Sequence, residues 1–182
     1  MTLGEEDAAS ALAAVARARR RSFELKGYAH SGGTLIVWGL VWLVCNLATW
    51  FLGGAGGMAW PIGVAIGTIF SIANGRGMGK GGVKGDWRAF ASVGTLFGTA
   101  VLLTLIAGID SPAQGNALIS LFVAASYVTM GIWVGPRFAA IGLVLAAMVC
   151  AGWFADRAHL ELWLGVGGGG ALIVTGIWLR RA

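Results

Sequence analysis

The sequence predicts an all-α, polytopic membrane protein: a bundle of six transmembrane helices with a basic N-terminal helix ahead of it. Three observations carry this reading. Of 182 residues, 57% are hydrophobic and only 12% are charged, with a mean hydropathy of +0.78, whereas soluble domains carry about 25% charged residues. The apolar residues gather into six stretches of about 16–20 residues, each long enough for a membrane helix. The cations then sort to one side of those stretches. Soluble enzymes, disordered chains and coiled coils do not fit such a composition.

The N-terminal segment, 1–30, is expected to be a cytoplasmic basic, amphipathic helix. It has no apolar run of the kind that a cleaved signal needs. Glu5, Glu6 and Asp7 count against a transit peptide, which is poor in acids. The first span then serves as the insertion signal. Thr2 and Glu5 have capping-box spacing, and acids favour a helix N-terminus, so helix is expected from there to about Lys26. Leu12, Val15, Ala16 and Phe23 form a narrow apolar stripe. Two roles fit: a helix lying on anionic lipid or docking a partner, and the blander role, favoured here, of a basic segment that sets topology.

The six-helix domain, 31–182, divides into spans Thr34–Leu52, Met58–Ala73, Phe90–Ile109, Ala117–Val134, Phe138–Phe154 and Leu162–Leu179. At 1.5 Å per residue these are roughly 24–30 Å long, enough to cross a bilayer with modest tilt. Arg17, Arg19, Arg20, Arg21 and Lys26 precede the first span. Arg76, Lys80, Lys84 and Arg88 fill the second connection, Arg137 the fourth, and Arg180 and Arg181 the tail. The remaining cation, Arg157, is alone on the other side with Asp110, Asp156 and Glu161. Positive charge stays cytoplasmic, so both termini are expected inside after six crossings. The tryptophans agree, because indole prefers the interface. Trp87, Trp133 and Trp178 fall at cytoplasmic ends, Trp50, Trp60, Trp153 and Trp163 at outer ends. The expected location is a bacterial plasma (inner) membrane. The cations border spans, which suits anionic headgroups rather than nucleic acid; Arg19, Arg20, Arg21, Lys80 and Lys84 are the expected headgroup contacts.

The Gly/Lys-rich cytoplasmic loop 74–88 contains NGRGMGKGGVKG and invites comparison with a P-loop. Asn74 stands where the first Gly is required, Gly81 where Ser or Thr is required, and no strand precedes it, so the pattern fails. A flexible basic loop at the lipid surface is the expected role.

No Asp, Glu, Lys, Arg or His falls in the core of a predicted span, whereas proton-coupled transporters and pumps commonly place ionisable groups there. His30 and His159 fall at opposite faces of the membrane, and no nucleophile–base pair or ligand set converges. Cys45 and Cys150 show no CxxC spacing and read as buried free thiols. No cofactor or metal is expected, and an enzyme is disfavoured. In the first span Trp38, Trp42, Cys45, Asn46 and Thr49 follow i, i+4, i+7, i+8, i+11 and share one face. Trp38, Trp42, Asn46 and Thr49 are therefore the candidate ligand or polar-core stripe. Interhelical hydrogen bonding, worth about 0.5–2 kcal/mol in membranes, is the favoured role.

Small residues form ridges elsewhere: Gly63, Gly67 and Ser71; Gly94 and Gly98; Ser120, Ala124 and Gly131; Gly142, Ala146 and Cys150; Gly165 and Gly169 within the run Gly167–Gly170. Such ridges let helix backbones approach closely. The four-glycine run would weaken a soluble helix by about 1 kcal/mol per residue, so close packing or local flexibility is expected there. Gly131-Ile132-Trp133 matches Gly176-Ile177-Trp178, and Arg88–Gly94 resembles Arg137–Gly142. Hairpins starting near 34, 89 and 138 then read as three αα repeats, although matches this short also arise by chance in Gly-rich apolar sequence. No motif identifies a characterised family. The favoured function is non-enzymatic: a membrane protein acting through helix packing and assembly, as a homo-oligomer or an accessory subunit. The alternative is a passive channel, transporter or binder for a small neutral molecule or lipid, built on the first-span stripe. An enzyme acting on lipid at the cytoplasmic interface, through His30 or loop residues, ranks third.

Overall fold

The computed structural model describes residues 4–79, 87–109 and 111–181, and all regular structure among them is helical. Helix α1, Glu5–Leu52, ends at Gly53, whose φ of 57° favours glycine. A 3-10 turn, Gly53–Met58, leads into α2, Ala59–Gly79. Helix α3 spans Trp87–Ile106, α4 Pro112–Val134 and α5 Pro136–Ala155. After a short 3-10 turn at Arg157–His159 comes a composite helix over residues 160–180, here α6. It is α-helical at Leu160–Leu162, π-helical over Trp163–Gly169 and α-helical again over Gly170–Arg180.

Four stretches are long and apolar enough to cross a membrane by length and composition: Ser31–Asn74, Pro112–Ile132, Pro136–Ala155 and Arg157–Arg180. The first holds both the second half of α1 and most of α2. Gly94–Ile106 of α3 is a shorter apolar helix. Six apolar helices thus match the six expected spans, with three differences, the first being that α2 runs on to Gly79, so residues 74–79 of the expected loop 74–88 are helical. The N-terminal segment and the first span are a single 48-residue helix, about 72 Å long at 1.5 Å per residue. Its Ala-rich, Arg-rich sequence has no helix breaker before Gly27, and the Gly32–Gly33 pair is held by packing against the rest of the bundle. Thr2 lies outside the described residues, and the helix is preceded by Gly4 without a side-chain cap. Helix α4 starts five residues before the expected span. Ser111 caps it by accepting a hydrogen bond from the Gln114 amide at 3.5 Å, with Pro112 opening the first turn, a placement that suits its fixed φ.

Helix α1 packs on α2, α3 on α4 and α5 on α6, but the most extensive contacts join α4 to α5 and α1 to α6. Both pairs rest on glycine. The α4–α5 connection is the single residue Gly135, and a Cβ on Gly131 would meet Ala139 at 2.5 Å while one on Gly142 would meet the Ala124 carbonyl at 2.5 Å. Between α1 and α6 the approach is reciprocal. A Cβ on Gly39 would lie 2.8 Å from the Gly169 carbonyl, and one on Gly169 2.8 Å from the Gly39 carbonyl; Gly32 and Gly176 repeat this at 2.7 Å. Without a hydrophobic drive between helices in lipid, such backbone proximity is a main source of packing attraction. Leu35, Trp42, Ala124, Phe138, Ile141, Leu145, Leu172 and Leu179 form the main core. A smaller cluster of Ala117, Val149, Leu160 and Leu164 sits nearer the α5–α6 turn.

Helix α2 packs on α1, and α3 chiefly on α4. The Gly63–Gly67–Ser71 ridge is occupied as expected, by Val41, Cys45 and Trp38. The Gly94–Gly98 ridge is not: among the described residues no atom comes within 4 Å of a Cβ placed on either glycine. Cys45 is buried, with its thiol donating to the Ala59 carbonyl at 3.3 Å, but Cys150 is exposed. It sits on the outer side of α5, so the expectation of two buried thiols is corrected for that residue.

Candidate functional site

The first-span stripe divides among three neighbours instead of facing one cavity. At 100° per residue its members spread over roughly 100° of the α1 surface, wide enough for several helices to meet it. Trp38 lies over Gly67 of α2, and its indole Nε1 donates to Ser71 Oγ at 2.9 Å. Ser71 in turn donates to the Gly67 carbonyl at 2.7 Å. One turn nearer the end of the bundle, Asn74 donates to Thr34 at 3.0 Å. Trp42 is buried in the main core. Thr49 donates to the Cys45 carbonyl at 2.9 Å, the usual way for a hydroxyl to satisfy itself in an apolar helix.

Asn46 is fully buried, at 0% exposure. Its Nδ2 donates to the Trp42 carbonyl at 2.9 Å, and its Oδ1 accepts from Asn116 Nδ2 of α4 at 2.8 Å. Gly165 lies 3.0 Å from its Cβ, measured from the position of a Gly165 Cβ. The amide pair therefore ties α1 to α4 beside the π-helical turn of α6. One turn along α4 from Asn116 is Ser120, 1% exposed, whose Oγ has no hydrogen-bond partner. Ser126, Thr129, Thr104 and Thr175 all donate to the carbonyl four residues back, so Ser120 departs from the local habit.

The end of the bundle that holds the α5–α6 turn carries a second polar group. His159 Nδ1 donates to Asp156 Oδ1 at 2.7 Å, and the His159 ring lies 5.0 Å from that of Trp50. Arg157 stacks over Trp153 at 4.0 Å. The bond from His159, aided by its charge and by a bond from Trp163, holds the Asp156 carboxyl below the ordinary carboxylate range. At the opposite end Arg137 lies over Trp178 at 4.5 Å, and Arg180 and Arg181 are exposed. Of the expected headgroup contacts, Arg21 is exposed on α1. Arg19 and Arg20 belong to the same helix, and Lys80 and Lys84 lie outside the described residues.

Sequence reasoning placed Asn46 but missed its partner. Asn116 fell one residue before the span assumed to start at Ala117, although the Ser111-Pro112 signature was available to move that start. It also missed Gly32 and Gly39, whose seven-residue spacing repeats in Gly169 and Gly176 and is the signal for their pairing. Among the described residues no group of three or more His, Cys, Asp or Glu could hold a metal ion. The chain matches no protein-family model, no curated protein and no solved structure in the comparisons made.

Proposed function

We propose that this chain is a multi-pass integral membrane protein of the bacterial inner membrane, with both termini cytoplasmic, that acts by helix assembly and not by catalysis. One observation carries the reading. The polar side chains of its first span are committed to bonds within and between its own helices, whereas α3 presents an unoccupied glycine ridge. Trp38 is bonded to Ser71 and Asn46 to Asn116; among the described residues nothing meets Gly94 or Gly98. Small-residue ridges are where membrane helices meet, and here a helix of a second copy or of another subunit has room to approach. Exposed Phe97, Val101, Leu102, Leu105 and Ile106 on α3, with Ile62, Ile66 and Ile69 on α2, suit lipid and helix contact alike. The sorting of cations supports the orientation.

The test is light scattering and native mass spectrometry of the chain extracted in mild detergent, beside Gly98→Leu. An oligomer or a stoichiometric foreign subunit in the wild type, lost in Gly98→Leu with the fold retained, is the expected result. A monomer in both removes the reading. The runner-up, a conduit or binder for a small neutral molecule, draws on the partnerless Ser120 hydroxyl beside Asn116. It requires a liposome flux that Asn46→Leu or Ser120→Ala alters.

A further inference from the structure

Helix α1 is one rod whose second half is built into the bundle and whose first half leaves it. Gly32 still packs on α6, where its Cβ would meet the Gly176 carbonyl at 2.7 Å. Ahead of it, residues 8–18, 21 and 22 are exposed. No break separates the two halves, so the arm continues the axis of the span instead of turning along a bilayer surface. Residue 5 therefore stands about 40 Å along that axis from Gly32.

The arm has a face of its own. Ala8, Ala11, Leu12, Val15 and Ser22 fall within about 100° of its circumference. Leu12 is 72% and Val15 64% exposed, and the small residues beside them let a second helix approach to about 8 Å. Charge is divided along the arm. Glu5, Glu6 and Asp7 open it, and Arg17, Arg19, Arg20 and Arg21 follow the alanines. Arg17 and Arg21 are exposed, the former with its Nε donating to the Ala13 carbonyl at 3.3 Å.

An arm that is acidic at one end, basic at the other and apolar between is complementary to itself in one direction only. In an antiparallel pair centred between Ala13 and Ala14, Leu12 of one copy lies opposite Val15 of the other. Residues 5–7 then lie opposite residues 20–22, three acids against two arginines, and the two helix dipoles run head to tail. A parallel pair sets acid beside acid and arginine beside arginine, which repels. Copies in one membrane hold their arms parallel, so the matching arm comes from a copy that faces them across the cytoplasm. We propose that the arm docks antiparallel on the arm of a second copy of this chain in an apposed membrane. Counted from residue 30 of each copy, such a pair holds the two cytoplasmic faces about 50 Å apart. Exposed ion pairs are individually weak, but many arms between two surfaces act together.

This inference rests on the membrane reading above, and the experiment separates the two. The whole chain is first reconstituted into phosphatidylcholine vesicles; failure to float with them overturns the membrane reading, whatever the arm does. Vesicles with the arm outward, as scored by trypsin cleavage at its arginines, are then followed by light scattering. The wild type is expected to cluster, with a gap of about 50 Å in electron cryomicroscopy. One variant carries Glu5→Lys, Glu6→Lys and Asp7→Lys, and another Arg17→Glu, Arg20→Glu and Arg21→Glu. Each alone should cluster about tenfold less or worse, and the two mixed should cluster again. Leu12→Asp with Val15→Asp should disperse the vesicles with the melting temperature of the bundle unchanged. Dispersed wild-type vesicles would overturn the proposal, as would clustering retained by either reversed variant alone or a mixture that stays dispersed. Capture of protein-free phosphatidylglycerol vesicles as strong as that of protein-bearing ones would also overturn it and assign the arm to lipid.

Discussion

A single amide pair shows what a polar residue does in this bundle. Asn46 and Asn116 bond to each other at 2.8 Å across α1 and α4; removing Asn116 leaves the Oδ1 of the buried Asn46 without this donor, and removing Asn46 takes the acceptor from the half-buried Asn116. Asn46→Leu is expected to destabilise the fold by about 1–2 kcal/mol, and Asn46→Leu with Asn116→Leu by less than the sum of the single changes. Unfolding in mixed micelles measures both. Outside the membrane-spanning helices, Asp156 makes a different prediction. Its carboxyl is held below the ordinary value of 3.8 by the His159 bond. A depressed carboxyl stabilises the fold above its unfolded value and loses that contribution as the pH falls through the folded one. Tryptophan fluorescence from Trp50, Trp153 and Trp163 should therefore change as the pH falls below about 4, and Asp156→Asn should abolish that transition. Asn46 was visible in the sequence because an amide at mid-depth must bond to something; Asn116 was not, because its partner depends on which helix passes behind it.

At the scale of the element, the α1–α6 pair is the most sensitive part of the protein. Gly39 and Gly169 each lie within 2.8 Å of the other's carbonyl, measured from where a Cβ would stand. Gly39→Val has to push the helices apart and should cost about 2–3 kcal/mol, whereas Gly98→Val on the open face of α3 should change protomer stability by less than about 0.5 kcal/mol. Thermal unfolding of the two variants side by side checks the contrast. The six elements could be read from hydropathy and Trp placement, but not all of their ends: α2 runs on to Gly79 and α4 begins at Pro112. Nor could the π-helical turn. The run Gly167–Gly170 showed only that α-helix is weak there, and the wider turn is selected by what surrounds it: Met148 against Gly167 and Leu43 against Gly169. Similarly, α1 runs unbroken through Gly27, a glycine that in this polar stretch suggested a boundary.

For the whole molecule, two tightly packed pairs, α1 with α6 and α4 with α5, form the centre, and α2 and α3 flank it. Composition revealed that the surface had to be apolar, and exposed Leu105, Ile106, Ile132 and Phe154 show it. The order of helices around the centre was hidden, since glycine ridges record close approach but not the identity of the neighbour. The pairing of the ridges now distinguishes glycines that serve the protomer from those that are left over. Paired cysteines introduced at Gly94 or Gly98 should cross-link two copies under mild oxidation if the chain self-associates through α3, while the same change at Gly170, which also faces open space, should not.

The partnership of α1 with α6 also has a consequence for biosynthesis. These helices are the first and last of the bundle to leave the ribosome, and Gly39 and Gly169 are separated by about 130 residues. At the usual rate of roughly 5–20 residues per second, α1 waits on the order of ten seconds for its main neighbour. During that interval its glycine face and Asn46 have no native partner from α6, and only α2, then α4, can shield them. A nascent chain arrested before residue 163 should thus be held by membrane chaperones or degraded, and its lifetime should lengthen sharply once α6 has emerged.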